Sequence, residues 1–112
     1  MIDFQTHTRD DGIGVLAPVG RLTMVAAPQL RGLVSQLVEQ GHPRIVVDLS
    51  GTEFIDSSGL GALIAGLKTT RQAGGDLRLA AVGPQVQAVL ELTNLHRVLR
   101  PRPDVAGAFD GD

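Results

Sequence analysis

The residues richest in chemistry lie in one short stretch, Asp56-Ser57-Ser58-Gly59-Leu60-Gly61. A carboxylate and two hydroxyls stand in a row, followed by glycines. They fall between a β-branched apolar segment and a stretch of helical periodicity. In α/β sheets, the end of a strand before a helix is where function commonly sits. The plain structural reading is a helix cap, since Ser and Asp are the best N-caps and glycine eases a tight turn. Three features strain that reading. A cap needs one polar side chain, and three are present. Gly59, Gly61 and Gly66 each weaken a helix by up to about 1 kcal/mol relative to Ala. Glycines in the first turn also leave a serine hydroxyl open to another protein's backbone. The expectation is that helix propensity has been exchanged for access.

Other chemistries find less support. A serine hydrolase needs a base and an oxyanion hole, and no Gly-x-Ser-x-Gly elbow exists because Asp56 directly precedes Ser57. Asp56 as a phospho-acceptor would want an acidic pair at a parallel strand end, whereas Asp10-Asp11 sits at a hairpin turn signal. His7, His42 and His96 fall on a strand and two separate connections, which argues against a metal site. No Gly-x-x-x-x-Gly-Lys-Ser/Thr loop is present, so no phosphate-cradling nucleotide site is expected. Lys68, Arg71 and Arg78 read as a solvated basic face. Cysteine is absent, which excludes disulfides, thiolate catalysis and Cys-zinc sites.

Composition narrows the class further. The 112 residues carry ten Lys and Arg against twelve Asp and Glu, a net charge of −2. That is not the basic footprint of a nucleic-acid binder, and three Phe without Tyr or Trp make a poor stacking platform. No apolar run reaches the about 20 residues that span a bilayer. Met1-Ile2-Asp3 has neither a basic segment nor an apolar signal core. The expectation is a cytoplasmic protein of one domain, residues 1–112 with a core over about 2–109, with no cofactor, no metal and no membrane contact. Nothing demands more than a monomer.

The elements that must hold this stretch can be read from periodicity. Residues 2–19 alternate around Asp10-Asp11-Gly12 and predict a β-hairpin, with Pro18 at a strand end or an edge. Gly20-Arg21-Leu22-Thr23 is expected as a loop. Ala26, Leu30, Leu33, Val34, Leu37 and Val38 then recur at helical spacing, with Pro28 in the first turn and Gly41 as the stop. Arg44 to Leu49 predicts a central strand covered on both faces. A helix follows from Ser57 or Ser58 to Ala73, then a buried strand from Leu77 to Val82. Gly83-Pro84 opens a third helix, with Val86, Val89 and Leu90 inward and Asn94 as its C-terminal cap. Val98-Leu99 is expected as a short edge strand, Pro103 to Phe109 as one or two helical turns, and 110–112 as a frayed end. The order ββ-α-β-α-β-α-β-α implies an α/β fold: a mixed sheet, hairpin first and parallel βα units after, covered by helices.

The stretch Phe54-Ile55-Asp56-Ser57-Ser58-Gly59-Leu60-Gly61-Ala62-Leu63, after the strand Ile45 to Ser50, resembles the signature of the STAS domain. More narrowly it is similar to the bacterial anti-sigma factor antagonists. The resemblance covers about residues 2–109 and includes Gly20-Arg21-Leu22, Gly74-Gly75 and Leu90-Glu91-Leu92-Thr93-Asn94-Leu95. It implies a STAS-type fold and a phospho-switch in place of an enzyme. In that family the serine directly after the Asp is phosphorylated by the partner, an anti-sigma factor that is a GHKL-type Ser/Thr kinase. Matched here, that residue is Ser57. The unphosphorylated antagonist binds the anti-sigma factor and frees the sigma factor, phosphorylation ends the binding, and a PP2C-type phosphatase resets it.

The resemblance also implies a contact surface: Gly20, Arg21, Thr23 and Met24, then Asp56, Ser57, Ser58, Gly59, Gly61 and Ala62, with Gly83-Pro84 beside them. Asp56 would hold the turn into the helix, and Ser58 would cap the helix or assist. One departure stands out. Many relatives carry an acid where this chain has Thr23, and Thr23 cannot pair with a basic residue of the kinase, while Arg21 would oppose one. The alternative is a STAS module never phosphorylated, a separate binding subunit of a transport or lipid-trafficking complex.

Overall fold

A computed structural model describes residues 2–109. The chain forms β1 (Asp3–Thr8), β2 (Gly14–Leu22), α1 (Ala27–Glu39), β3 (Arg44–Asp48), β4 (Thr52–Ile55), α2 (Ser57–Gln72), β5 (Asp76–Ala80), α3 (Pro84–Leu92) and α4 (His96–Leu99). The expected α/β class holds, with a mixed five-stranded sheet. β1 and β2 pair antiparallel, Asp3 opposite Val19 and Thr8 opposite Gly14. The turn between them needs a left-handed residue, and Gly12 supplies it at φ 87°.

β2 is the strand that organises the sheet. Its first part, Gly14 to Leu16, pairs parallel with β3, and its last part, Gly20 to Leu22, pairs parallel with β4. β3 pairs in turn with β5, from Arg44 opposite Asp76 to Asp48 opposite Ala80. β3 and β4 need no crossover between them, because both run along β2 in the same direction with a tight turn at Leu49 to Thr52.

Gly20 to Leu22 is therefore strand rather than the expected loop, and Thr52–Ile55 is a strand the periodicity did not announce. Pro18 is likewise neither at a strand end nor on an edge strand. It lies in β2 between the stretches paired with β3 and β4. Its carbonyl accepts the Thr52 hydroxyl at 2.6 Å. The N and O of a strand residue face the same side, so the missing N–H falls where no ladder requires one.

Covering the sheet fills two unequal layers. One face packs Leu16, Leu22, Ile45, Val47, Leu77 and Leu79 against Leu30 and Val34 of α1, Leu60, Leu63 and Leu67 of α2, and Val86 and Leu90 of α3. The other face is smaller: Ile13, Val46 and Ala80 lie under Ala108, with Val105 and Phe109 beside it. Side chains alternate along a strand, so Ile45 and Val47 point one way and Val46 the other, and β3 is covered on both faces as expected.

Four further expectations are corrected. Val98-Leu99 is helical, within α4. Asn94 turns the chain left-handed at φ 60°, as its capping position suggested, but the slot beside β5 goes to Arg102, whose N–H donates to Leu79 and whose carbonyl accepts from Ala81. Residues 103–109 form turns rather than helix, and β5 stops at Ala80, where Ala81 takes φ 56°. Lys68, Arg71 and Arg78 are not one solvated face. Arg78 is buried, holds Asp76 at 3.3 Å and stacks on the Phe109 ring at 4.5 Å, and Arg71 meets the same Asp76 at 3.0 Å. The expected fraying at 110–112 lies outside the described residues.

Candidate functional site

β4 delivers the chain to the Asp56 stretch, and its end is clamped. The Ile55 N–H donates to Gln85 Oε1 at 2.9 Å, and the Gln85 amide donates to the Ile55 carbonyl at 3.0 Å. One side chain thus satisfies both backbone groups of Ile55. Asp56 follows in an extended conformation, φ −106° and ψ −175°, as the N-cap of α2. Its Oδ1 accepts the Gly59 N–H at 2.8 Å and its Oδ2 accepts the Met24 N–H at 3.2 Å. Its own N–H donates to the Leu22 carbonyl at 3.3 Å. Asp56 therefore ties the first turn of α2 to the end of β2 and to the turn before α1.

Ser57 comes next and is exposed, while Ser58 is half-buried. The cap is Asp56 alone, so Ser58 does not perform the capping expected of it. The hydroxyl of Ser57 points into no hydrogen bond within the described residues. The glycines divide by role. A methyl group at Gly59 would run into the Leu22 carbonyl oxygen and lie 2.9 Å from Ile55 Cγ1. One at Gly66 would lie 3.0 Å from Leu77 and 3.3 Å from Val34. These two glycines let α2 pack closely; they do not open a serine to visitors. Gly61 alone fits the expected access, its nearest neighbour being an Arg31 nitrogen 3.8 Å from where a Cβ would stand.

The structure brings together only some of the residues singled out. Met24, Ser57, Ser58 and Gly61 line one groove, bounded on the α1 side by Ala27, Pro28 and Arg31. Met24 forms its exposed apolar lip, at 70% exposure, while Val25, 86% exposed, lines a neighbouring depression with Ile2 and Ala26. Thr23 sits behind the lip, its carbonyl accepting the N–H groups of Ala26 and Ala27. Arg21 shares the depression beside Val25 with Thr23 and stacks on the Phe54 ring at 4.2 Å. Gly20 lines a separate depression with Val19, Gly51 and Glu53. Gly59 and Ala62 are buried and present nothing to a partner. Gly83 and Pro84 open α3, and the residue after them, Gln85, reaches the site.

Sequence reasoning missed Gln85 and Arg31. Both are ordinary polar residues on helix surfaces, and only long-range contact sets them apart. The histidines stay scattered: His7 is exposed on β1, His42 Nδ1 lies 3.0 Å from the Gly12 carbonyl, and His96 Nδ1 lies 3.3 Å from that of Leu90. Among the described residues no group of three or more His, Asp or Glu could hold a metal ion. None of their helices is long and apolar enough to cross a membrane.

The family model described as STAS domain matches residues 5–108. The protein BtrV of Bordetella bronchiseptica, provisionally named an anti-sigma factor antagonist, is 30% identical over 93% of this chain and 92% of its own length. The anti-sigma-B factor antagonist of Staphylococcus aureus is 27% identical over 84% of this chain and 86% of its own. Among solved structures, an anti-sigma factor antagonist from Mycobacterium paratuberculosis superposes with a TM-score of 0.83 at 29% identity, covering 95% of this chain and 89% of that one.

Proposed function

The chain belongs to the STAS domain family, and on that premise we propose that it is an anti-sigma factor antagonist switched by phosphorylation of Ser57. The unphosphorylated chain binds an anti-sigma factor of the GHKL Ser/Thr kinase type in the cytoplasm and so releases the sigma factor. The kinase places a phosphate on Ser57, binding ends, and a PP2C-type phosphatase restores the first state. The chain is a substrate and a competitor rather than a catalyst.

The observation that carries this reading is the exposed Ser57 hydroxyl immediately after a carboxylate fixed at both oxygens. Asp56 spends its acceptors on Gly59 and Met24, so it orients the turn and leaves the hydroxyl for a partner. The exposed Met24 at the groove, with Val25 next to it in the chain, adds the apolar contact area that a protein interface wants at its centre.

The electrostatics fit a local switch. Phosphorylation adds about −1.5 to −2 charges at the start of α2, where the free N–H groups and helix dipole tolerate negative charge. The fold survives and the penalty falls on the contact. Two unit charges about 4 Å apart interact by about 4 kcal/mol at an effective dielectric of 20. A net loss of about 2.7 kcal/mol, which is about 100-fold in affinity, needs only part of that.

The test is incubation of the purified chain with its cognate anti-sigma kinase and ATP, read by mass spectrometry. A single phosphate on Ser57, absent in Ser57→Ala, is the expected result. Phosphate on Ser58 would reassign the residue. A Ser57→Glu variant that binds the anti-sigma factor as tightly as the parent would remove the switch.

A further inference from the structure

We propose that Arg31 is the counter-ion, within the same chain, that receives the phosphate on Ser57. This role rests on the reading of Ser57 as the modified residue and goes on to what becomes of the phosphate. The first turns of α1 and α2 lie side by side, since Ala27, Pro28 and Arg31 share one groove with Ser57, Ser58 and Gly61. Ser57 and Gly61 are four residues apart and so lie on one face of α2. Arg31 stands opposite Gly61, with an Nη2 3.8 Å from where a Cβ would be.

The guanidinium tip therefore stands about one helical turn, about 5.4 Å along α2, from Ser57, a gap that a phosphate on the serine and a flexible arginine close between them. Gly61 puts no side chain in the way. Arg31 is exposed and makes no ion pair among the described residues. The charge that could compete for it is the Asp56 carboxylate, whose oxygens already accept the Gly59 and Met24 amides. Arg21, the other cation on this side, stacks on Phe54.

A phosphate and a guanidinium pair through two parallel hydrogen bonds. Arg31 would therefore lay the phosphate into the groove over Gly61, in the space the unphosphorylated chain offers to a partner. The modified chain then occupies its own docking groove, and part of the new charge is neutralised internally.

The test uses the full chain with phosphoserine genetically encoded at position 57, so that no kinase is required, and follows the phosphorus NMR signal through a pH titration. The phosphate should lose its second proton about 0.4 pH unit lower in the parent than in Arg31→Gln, matching the two- to threefold preference of an exposed ion pair. Arg31→Lys should recover part of the difference, and added salt should shrink it. Equal midpoints in the parent and Arg31→Gln, both folded by circular dichroism, would overturn the proposal. So would a difference seen with phosphoserine at position 58 but not at 57. Failure of the kinase to modify Ser57 would instead strike the reading beneath it and leave this titration intact.

Discussion

The two helices that border the groove begin in opposite ways. α1 starts at Ala26 with no side-chain cap and a proline in its first turn, and its leading N–H groups turn back to Thr23 only three and four residues away. α2 starts at Asp56, whose carboxylate reaches its own Gly59 and also Met24, 32 residues earlier in the chain. On the other side, Gln85 grips Ile55 from 30 residues later. The first helix is thus begun by its neighbours in sequence, and the second is fixed by the rest of the fold. The difference teaches where positional accuracy is spent. The lip at Met24 can be formed locally, while its register with Ser57 is set by the pairing of Leu22 with Ile55 and carried on to Met24 by the Asp56 carboxylate.

Breaking that long-range grip should cost most where the backbones touch. Gly59→Ala forces a methyl group against the Leu22 carbonyl, and we expect a loss of about 3 kcal/mol, at the upper end of overpacking effects, read from the urea midpoint. Asp56→Ala should cost about 2 kcal/mol, because two amides lose their acceptor rather than one. Asp56→Asn, with a single carbonyl oxygen, should lie roughly midway. Faster hydrogen exchange at Met24 as well as Gly59 would mark the alanine change as a broken tie between elements.

Gln85→Ala should cost about 1 kcal/mol and raise exchange selectively at Ile55. The smallest effect should have the opposite sign. Gly61→Ala meets only the tip of a flexible arginine and should stabilise the chain by up to about 1 kcal/mol. If Gly59→Ala and Gly61→Ala were equally mild, the division of the glycines into packing and open positions would fail.

Much of the fold was legible because its signals are local. The alternation across the hairpin, the helical spacing from Ala26 to Val38, and the stops at Gly41 and Asn94 each involve residues a few positions apart. Both stops take the left-handed conformation that such residues accept, φ 91° and 60°. The Asp-Ser-Ser-Gly element was visible for the same reason. β4 was not, since four residues with a single strongly apolar pair carry too little period, and their strand character comes from pairing with Gly20 to Leu22. Val98-Leu99 looked like strand by composition, yet Arg102 holds the place beside Ala80. Arg78 looked solvated because no local rule announces that Asp76 and Phe109 will enclose it.

Residue order alone determined the order of most elements, the fold class, and a serine behind an aspartate at the head of a helix. Tertiary structure decided which glycine packs and which stays open, that Asp56 rather than Ser58 caps α2, and that Arg31 and Gln85 belong to the site. The reason is physical. Periodicity and capping act within about one or two helical turns of chain, whereas the Asp56 to Met24 tie, the Gln85 clamp and the Arg31 approach join segments that meet only once β2, β4 and the helices have packed.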